Sequence, residues 1–145
     1  MTGTRPRGWL SIAQSQSFNT ARLLAEAGVE YMCDWVNDEL PYVFQTDAGE
    51  IINIPLNHEL SDRQIINVQQ QSVDSYAQSM NDAANWLLSE AETHGGRMLP
   101  MHITPYIMGL PYRIAAFEQL IADFADRDGV IFARGDEILD AWKAR

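Results

Sequence analysis

The chain holds a single cysteine, Cys33, so no disulfide can close within it and no cysteine cluster can bind a metal. Histidine is nearly as scarce, and imidazole chemistry is confined to His58, His94 and His102. Basic side chains are few. Ten Lys and Arg against twenty Asp and Glu give a formal net charge of −10, which repels nucleic acid and anionic membrane surfaces. No window approaches the roughly 18 apolar residues of a membrane span. Residues 1–7 (MTGTRPR) lack the apolar stretch of a secretory signal. These absences lead to the expectation of a cytoplasmic protein with neither a nucleic-acid nor a membrane partner. There is also no internal repeat or low-complexity tract.

What is present is enough to fold. A hydrophobic fraction of 46% over 145 residues is far from the composition of a disordered segment, and the length suits one domain, 1–145. Residues 8–12 (GWLSI) read as a buried strand, followed by a polar loop to Asn19. Residues 20–28 (TARLLAEAG) read as a helix stopping at Gly28, and residues 29–36 (VEYMCDWV) as a second strand. Two β-rich runs, YVFQT and IINIPL, flank the turn TDAGE and predict a hairpin inserted at the rim. A long helix from about residue 72 to 92 carries Val73, Tyr76, Ala77, Met80, Ala84, Leu87 and Leu88 at helical spacing. A strand over 97–104 ending in His102, a helix through Ile114, Phe117, Leu120 and Phe124, a strand VIFAR and a helix GDEILDAWK complete the chain. This order predicts an α/β fold with parallel inner strands and outer helices. Four inner strands are too few to close a barrel, so open sheet edges and apolar surface predict a partner.

In parallel α/β folds reactive groups collect at the carboxyl ends of the strands. Trp9, the pair Asp34-Trp35 and His102 fall there. A carboxylate and an imidazole ending two strands of one sheet could meet, with Asp34 orienting His102 and favouring its protonated form, as suits a general acid. A buried structural ion pair reads equally well from these residues alone. The set His58, Glu59 and Asp62 offers metal-ligand chemistry without an established ligand spacing. His94 beside Gly95-Gly96 fits a helix end, where the dipole favours it.

The runs RPRGWLS, NTARLLAEAGVEYMCDWVNDELPY and LPMHITPYIMGLPYRI resemble the later motifs of the polysaccharide deacetylase (NodB-like, carbohydrate esterase family 4) superfamily, in the branch containing cofactor-independent allantoinase and peptidoglycan-deacetylase-like proteins. The likeness spans roughly residues 5–142. It implies the C-terminal half of a deformed (β/α) barrel with a β-hairpin insertion, and a hydrolase acting on non-peptide carbon–nitrogen bonds of a sugar or small cyclic amide. His102 matches the histidine that protonates the leaving nitrogen, and Asp34 the acid that holds and tunes it. Trp9 and Trp35 match residues lining the substrate pocket, and Tyr106 is a further candidate lining residue. The family's Arg-x-Pro-Tyr motif is here Arg7-Gly8-Trp9. The early Asp-Asp and His-containing metal motifs precede the matched region in the family and are absent here. The complete family site therefore implies a divalent metal, zinc, for which this chain offers no convincing ligands. The expected partner is a chain or segment supplying the N-terminal half-barrel. The alternative is a non-catalytic binding or regulatory subunit, a homodimer of two half-barrels.

Overall fold

A computed structural model describes residues 3–145; residues 1 and 2 of the sequence expectations lie outside it. Backbone contacts divide the chain into two compact units. One comprises the described residues up to Leu56 together with Ala133–Arg145, the other Asn57–Phe132.

The first unit is built on a four-stranded sheet in the order β1-β2-β4-β3. Strands β1 (Gly8–Trp9) and β2 (Tyr31–Met32) are parallel neighbours, and α1 (Thr20–Glu26) connects them. This is the expected βαβ unit, with strands shorter than the apolar runs that contain them. Gly28 ends α1 at φ +72°, a conformation a side chain would strain. Gly8 is required for space instead, because a Cβ there would enter the Tyr31 ring. The hairpin forms as expected from β3 (Tyr42–Thr46) and β4 (Gly49–Asn53), paired antiparallel from Tyr42 opposite Asn53 to Thr46 opposite Gly49. Its second arm is a member of the main sheet, since β4 also pairs in parallel with β2. Ile51, Ile52 and Asn53 are consecutively buried, as a strand covered on both faces requires, whereas β3 alternates like an edge strand. Ala21, Leu24, Val29, Met32 and Ile51 form this unit's core. Helix α5 (Gly135–Lys143) is tied to the sheet by Arg7, which bonds both Glu30 on the β2 side and Asp140 on the helix.

The second unit is helical. Helix α2 (Val73–His94) starts where Ser72 Oγ accepts the Ser75 amide at 3.1 Å, and it buries Tyr76, Met80 and Ala84 at the expected spacing. Those side chains pack on Leu120 and Phe124 of α4 (Ile114–Ala125) and on Ile107 and Met108 of the one-turn α3 (Pro105–Met108). Burying each of the Leu, Ile, Phe and Met side chains contributes about 1.5–3 kcal/mol. Ile65 and Ile66, in a short π-helical stretch at Arg63–Val68, join the same core.

Two expected strands are not formed. Residues 97–104 and 130–134 have no ladder partner among the described residues. A strand exists by pairing, and the polar groups flanking His102 pair with a loop instead, as described below. In the second run Ile131 and Phe132 are left 86% and 55% exposed. No helix among the described residues is long and apolar enough to cross a membrane.

Candidate active site

In the first unit Asp34 follows β2 and is only 3% exposed. Both of its oxygens are engaged by one residue: Oδ1 accepts the Ser11 amide at 2.6 Å and Oδ2 accepts the Ser11 hydroxyl at 2.8 Å. The same hydroxyl accepts the Trp9 indole N–H at 3.1 Å, so the carboxylate orients Trp9 through Ser11. A carboxylate has about four lone-pair sites, so Asp34 keeps capacity for a further donor. Trp35 is fixed by Asn53, whose amide oxygen accepts the Trp35 N–H at 3.2 Å and whose amide nitrogen donates to the Trp35 carbonyl at 2.7 Å. The indole stacks on Phe44 with ring centroids 5.9 Å apart. The nearby Cys33 thiol is pushed up to about 11 by burial and by Asp34, which removes it as a nucleophile near neutral pH.

In the second unit His102 Nδ1 lies 2.8 Å from His58 Nδ1 with ring centroids 4.6 Å apart. His58 Nε2 is buried without a partner, and burial and the neighbouring His102 hold the His58 pKa below its usual value. The backbone around His102 is gripped by Asp62, which is wholly buried. The Asp62 amide donates to the His102 carbonyl at 3.3 Å, and its carboxylate accepts the Thr104 amide at 2.7 Å and the Thr104 hydroxyl at 2.9 Å. Asp62 also accepts the Arg63 amide. Tyr106, on α3, is 65% exposed and bonds Arg63, whose guanidinium lies 5.8 Å from the ring centroid.

Within each unit, then, the sequence candidates come with unforeseen partners. Trp9 and Asp34 are joined by Ser11, Trp35 by Asn53, and His102 by His58 and Asp62. Asn53 carried a readable signal, a polar residue inside an apolar strand run. Ser11 and Asp62 did not, because a hydroxyl or acid in a loop is usually solvated.

A metal ion fits poorly here. Among the described residues no group of three or more His, Cys, Asp or Glu side chains is placed to hold one. Of the set His58, Glu59 and Asp62, Asp62 spends its oxygens on Thr104 and Arg63, and His58 turns Nδ1 to His102.

No protein-family model and no curated protein matches the chain. Solved structures do. A "probable Polysaccharide deacetylase" from Pseudomonas aeruginosa PAO1 matches at 31% identity and TM-score 0.86, over 99% of this chain and 48% of that one. The "Puue Allantoinase" matches at 30% identity and TM-score 0.86, over the same shares. A Mycobacterium smegmatis structure at 22% identity and TM-score 0.76 supports the fold alone. The chain spans about half the length of the solved structures it matches. With its mixed α/β sheet, its helices and this match along nearly every residue, the chain has the NodB-like fold of the polysaccharide deacetylase and allantoinase structures it resembles.

Proposed function

We propose that this chain is the C-terminal half of a barrel hydrolase acting on carbon–nitrogen bonds other than peptide bonds, and that it supplies the proton donor. The observation that carries this reading is the likeness over 99% of the chain, at 30–31% identity, to structures titled as a polysaccharide deacetylase and an allantoinase. Those titles support an N-acetylated sugar or a small cyclic amide as substrate.

The proposed acid is His102. Water adds to the amide carbonyl carbon, the carbon–nitrogen bond breaks, and the leaving nitrogen takes a proton from the imidazole. With Nδ1 directed at His58, Nε2 is the nitrogen available for that transfer. Asp34 is proposed, on its motif match alone, as the carboxylate that accompanies His102 in the reaction. Trp9, Trp35 and Tyr106 are proposed to contact substrate, the first two held by Ser11 and Asn53. The groups that activate water, including any divalent metal, are assigned to the half of the barrel this chain does not span. Exposed Ile131 and Phe132 in an unpaired apolar run support a partner segment that covers them.

The test is reconstitution with a polypeptide carrying the missing half, assayed on N-acetylated sugars and cyclic ureides. His102→Ala is expected to lower turnover about 10²- to 10⁴-fold while leaving assembly intact. Unchanged turnover removes His102 from the mechanism. Isolation from the native source as a homodimer with no companion and no hydrolytic activity would favour a binding subunit instead.

A further inference from the structure

We propose that His58 is a positioning residue for His102: it accepts the hydrogen bond of His102 Nδ1 and so reserves Nε2 for the exchanging proton, while Asp62 clamps the backbone beside the ring. This role rests on His102 being the proton donor and adds the part that fixes which ring nitrogen works.

The segment 57–62 is built for the task. The Ser61 amide donates to the His58 carbonyl at 3.0 Å, and the Glu59 amide to Asn57 Oδ1 at 2.7 Å, so the loop doubles back on itself. That brings His58 and Asp62, four residues apart, to one short stretch. Asp62 holds the His102 carbonyl through its amide and the Thr104 amide and hydroxyl through its carboxylate. The chain leaving the His102 Cα is thereby fixed, and His58 fixes the ring's rotation.

The 2.8 Å separation of the two Nδ1 atoms requires one donor and one acceptor. A charged His58 would present an N–H at Nδ1 as well, against the N–H of a protonated His102. Burial and His102 oppose that charge. With His102 protonated as the acid, its Nδ1 is a donor, so His58 Nδ1 accepts and the His58 proton lies on Nε2, where it has no partner. His102 then donates from Nδ1 both as imidazolium and after giving up the Nε2 proton. The hydrogen bond survives the transfer unchanged, so the acid needs no reorientation between the two states.

The experiment is imidazole ¹⁵N–¹H correlation spectroscopy of the 145-residue chain. Neutral His102 is expected to carry its proton on Nδ1 and neutral His58 on Nε2. His58→Phe removes the acceptor and is expected to move the His102 proton to Nε2, whereas His58→Gln, whose amide oxygen can accept, retains Nδ1–H. Wild-type His102 protonated at Nε2, or a His102 spectrum unchanged in His58→Phe, overturns the role. Should His58→Phe fail to fold, the wild-type tautomer decides alone. In the reconstituted enzyme His58→Phe is expected to lower kcat about tenfold with KM held, the usual scale for an orienting partner. The two failures are separable: unchanged turnover in His102→Ala overturns the hydrolytic reading, and a His102 proton on Nε2 overturns this one.

Discussion

Each compact unit contains a buried aspartate doing the same mechanical job. Asp34 accepts the amide and hydroxyl of Ser11, two residues after Trp9; Asp62 accepts the amide and hydroxyl of Thr104, two residues after His102. In both, a carboxylate seizes the hydroxyl residue just beyond a candidate site side chain and so freezes the chain where that side chain departs. The difference lies in what the held residue does next. Trp9 satisfies its one N–H on the gripped hydroxyl, closing the network. His102 turns to another imidazole, whose far nitrogen is buried and unpaired. An unpaired buried polar atom costs about 1–3 kcal/mol. A fold tolerates that where geometry is worth more than stability, and the role proposed for His102 would give the cost such a use.

The comparison can be broken by removing each clamp. Asp62 accepts from two backbone amides and a hydroxyl, Asp34 from one amide and a hydroxyl. Stranding buried donors predicts a loss of about 3 kcal/mol for Asp62→Ala and about 2 kcal/mol for Asp34→Ala. Urea denaturation of the two variants measures both. Equal losses, or the reverse order, would show that counting stranded donors misses what the two carboxylates do.

Much of the scaffold for these clamps was legible in the sequence, because it is written in local pattern. The α2 stripe of Tyr76, Met80 and Ala84, the Ser72 cap and the Gly28 stop each need only neighbouring residues to be read. Strand length was not legible at residues 97–104 and 130–134, since an apolar run becomes a strand only by pairing, and pairing is nonlocal. The hairpin's place in the sheet was hidden for the same reason: β4 is defined by its register with β2. At the site, Asp34 and His102 stood out by type and position. Their partners did not, for His58 meets His102 across 44 residues and Asp62 meets Thr104 across 42. His58, Glu59 and Asp62 suggested metal chemistry on residue type alone, and contact geometry gives two of them a different use.

A smaller effect separates the units by pH. His58 has its pKa depressed in the folded chain from an ordinary value of 6.5, first by burial and then by His102. The unfolded chain therefore binds the proton more readily, and stability rises with pH through this window. The His58 contribution is complete well above 6.5 and is lost as pH falls below it. Thermal unfolding between pH 7.5 and 5 should show a midpoint that drops on acidification. His58→Phe should flatten that drop, and an equally steep decline in the variant would assign it to other groups.

The smallest expected effect belongs to Arg7, the arginine of the Arg-Gly-Trp run. It donates to Glu30 and Asp140, and Lys143 donates to Glu30 as well, forming a network at the surface of the first unit. Arg7 holds the Glu30 carboxyl down to about 2, with Lys143 adding to the effect. Solvent screens such pairs, so their presence says little about stability. Arg7→Gln should shift the thermal midpoint slightly at low ionic strength and hardly at all in molar salt, where the Debye length falls to about 3 Å. The buried clamps should hold their midpoints far better over the same salt range. If Arg7→Gln proved as damaging as Asp34→Ala and insensitive to salt, then fastening α5 to the sheet, rather than clamping Ser11, would be what orders the first unit.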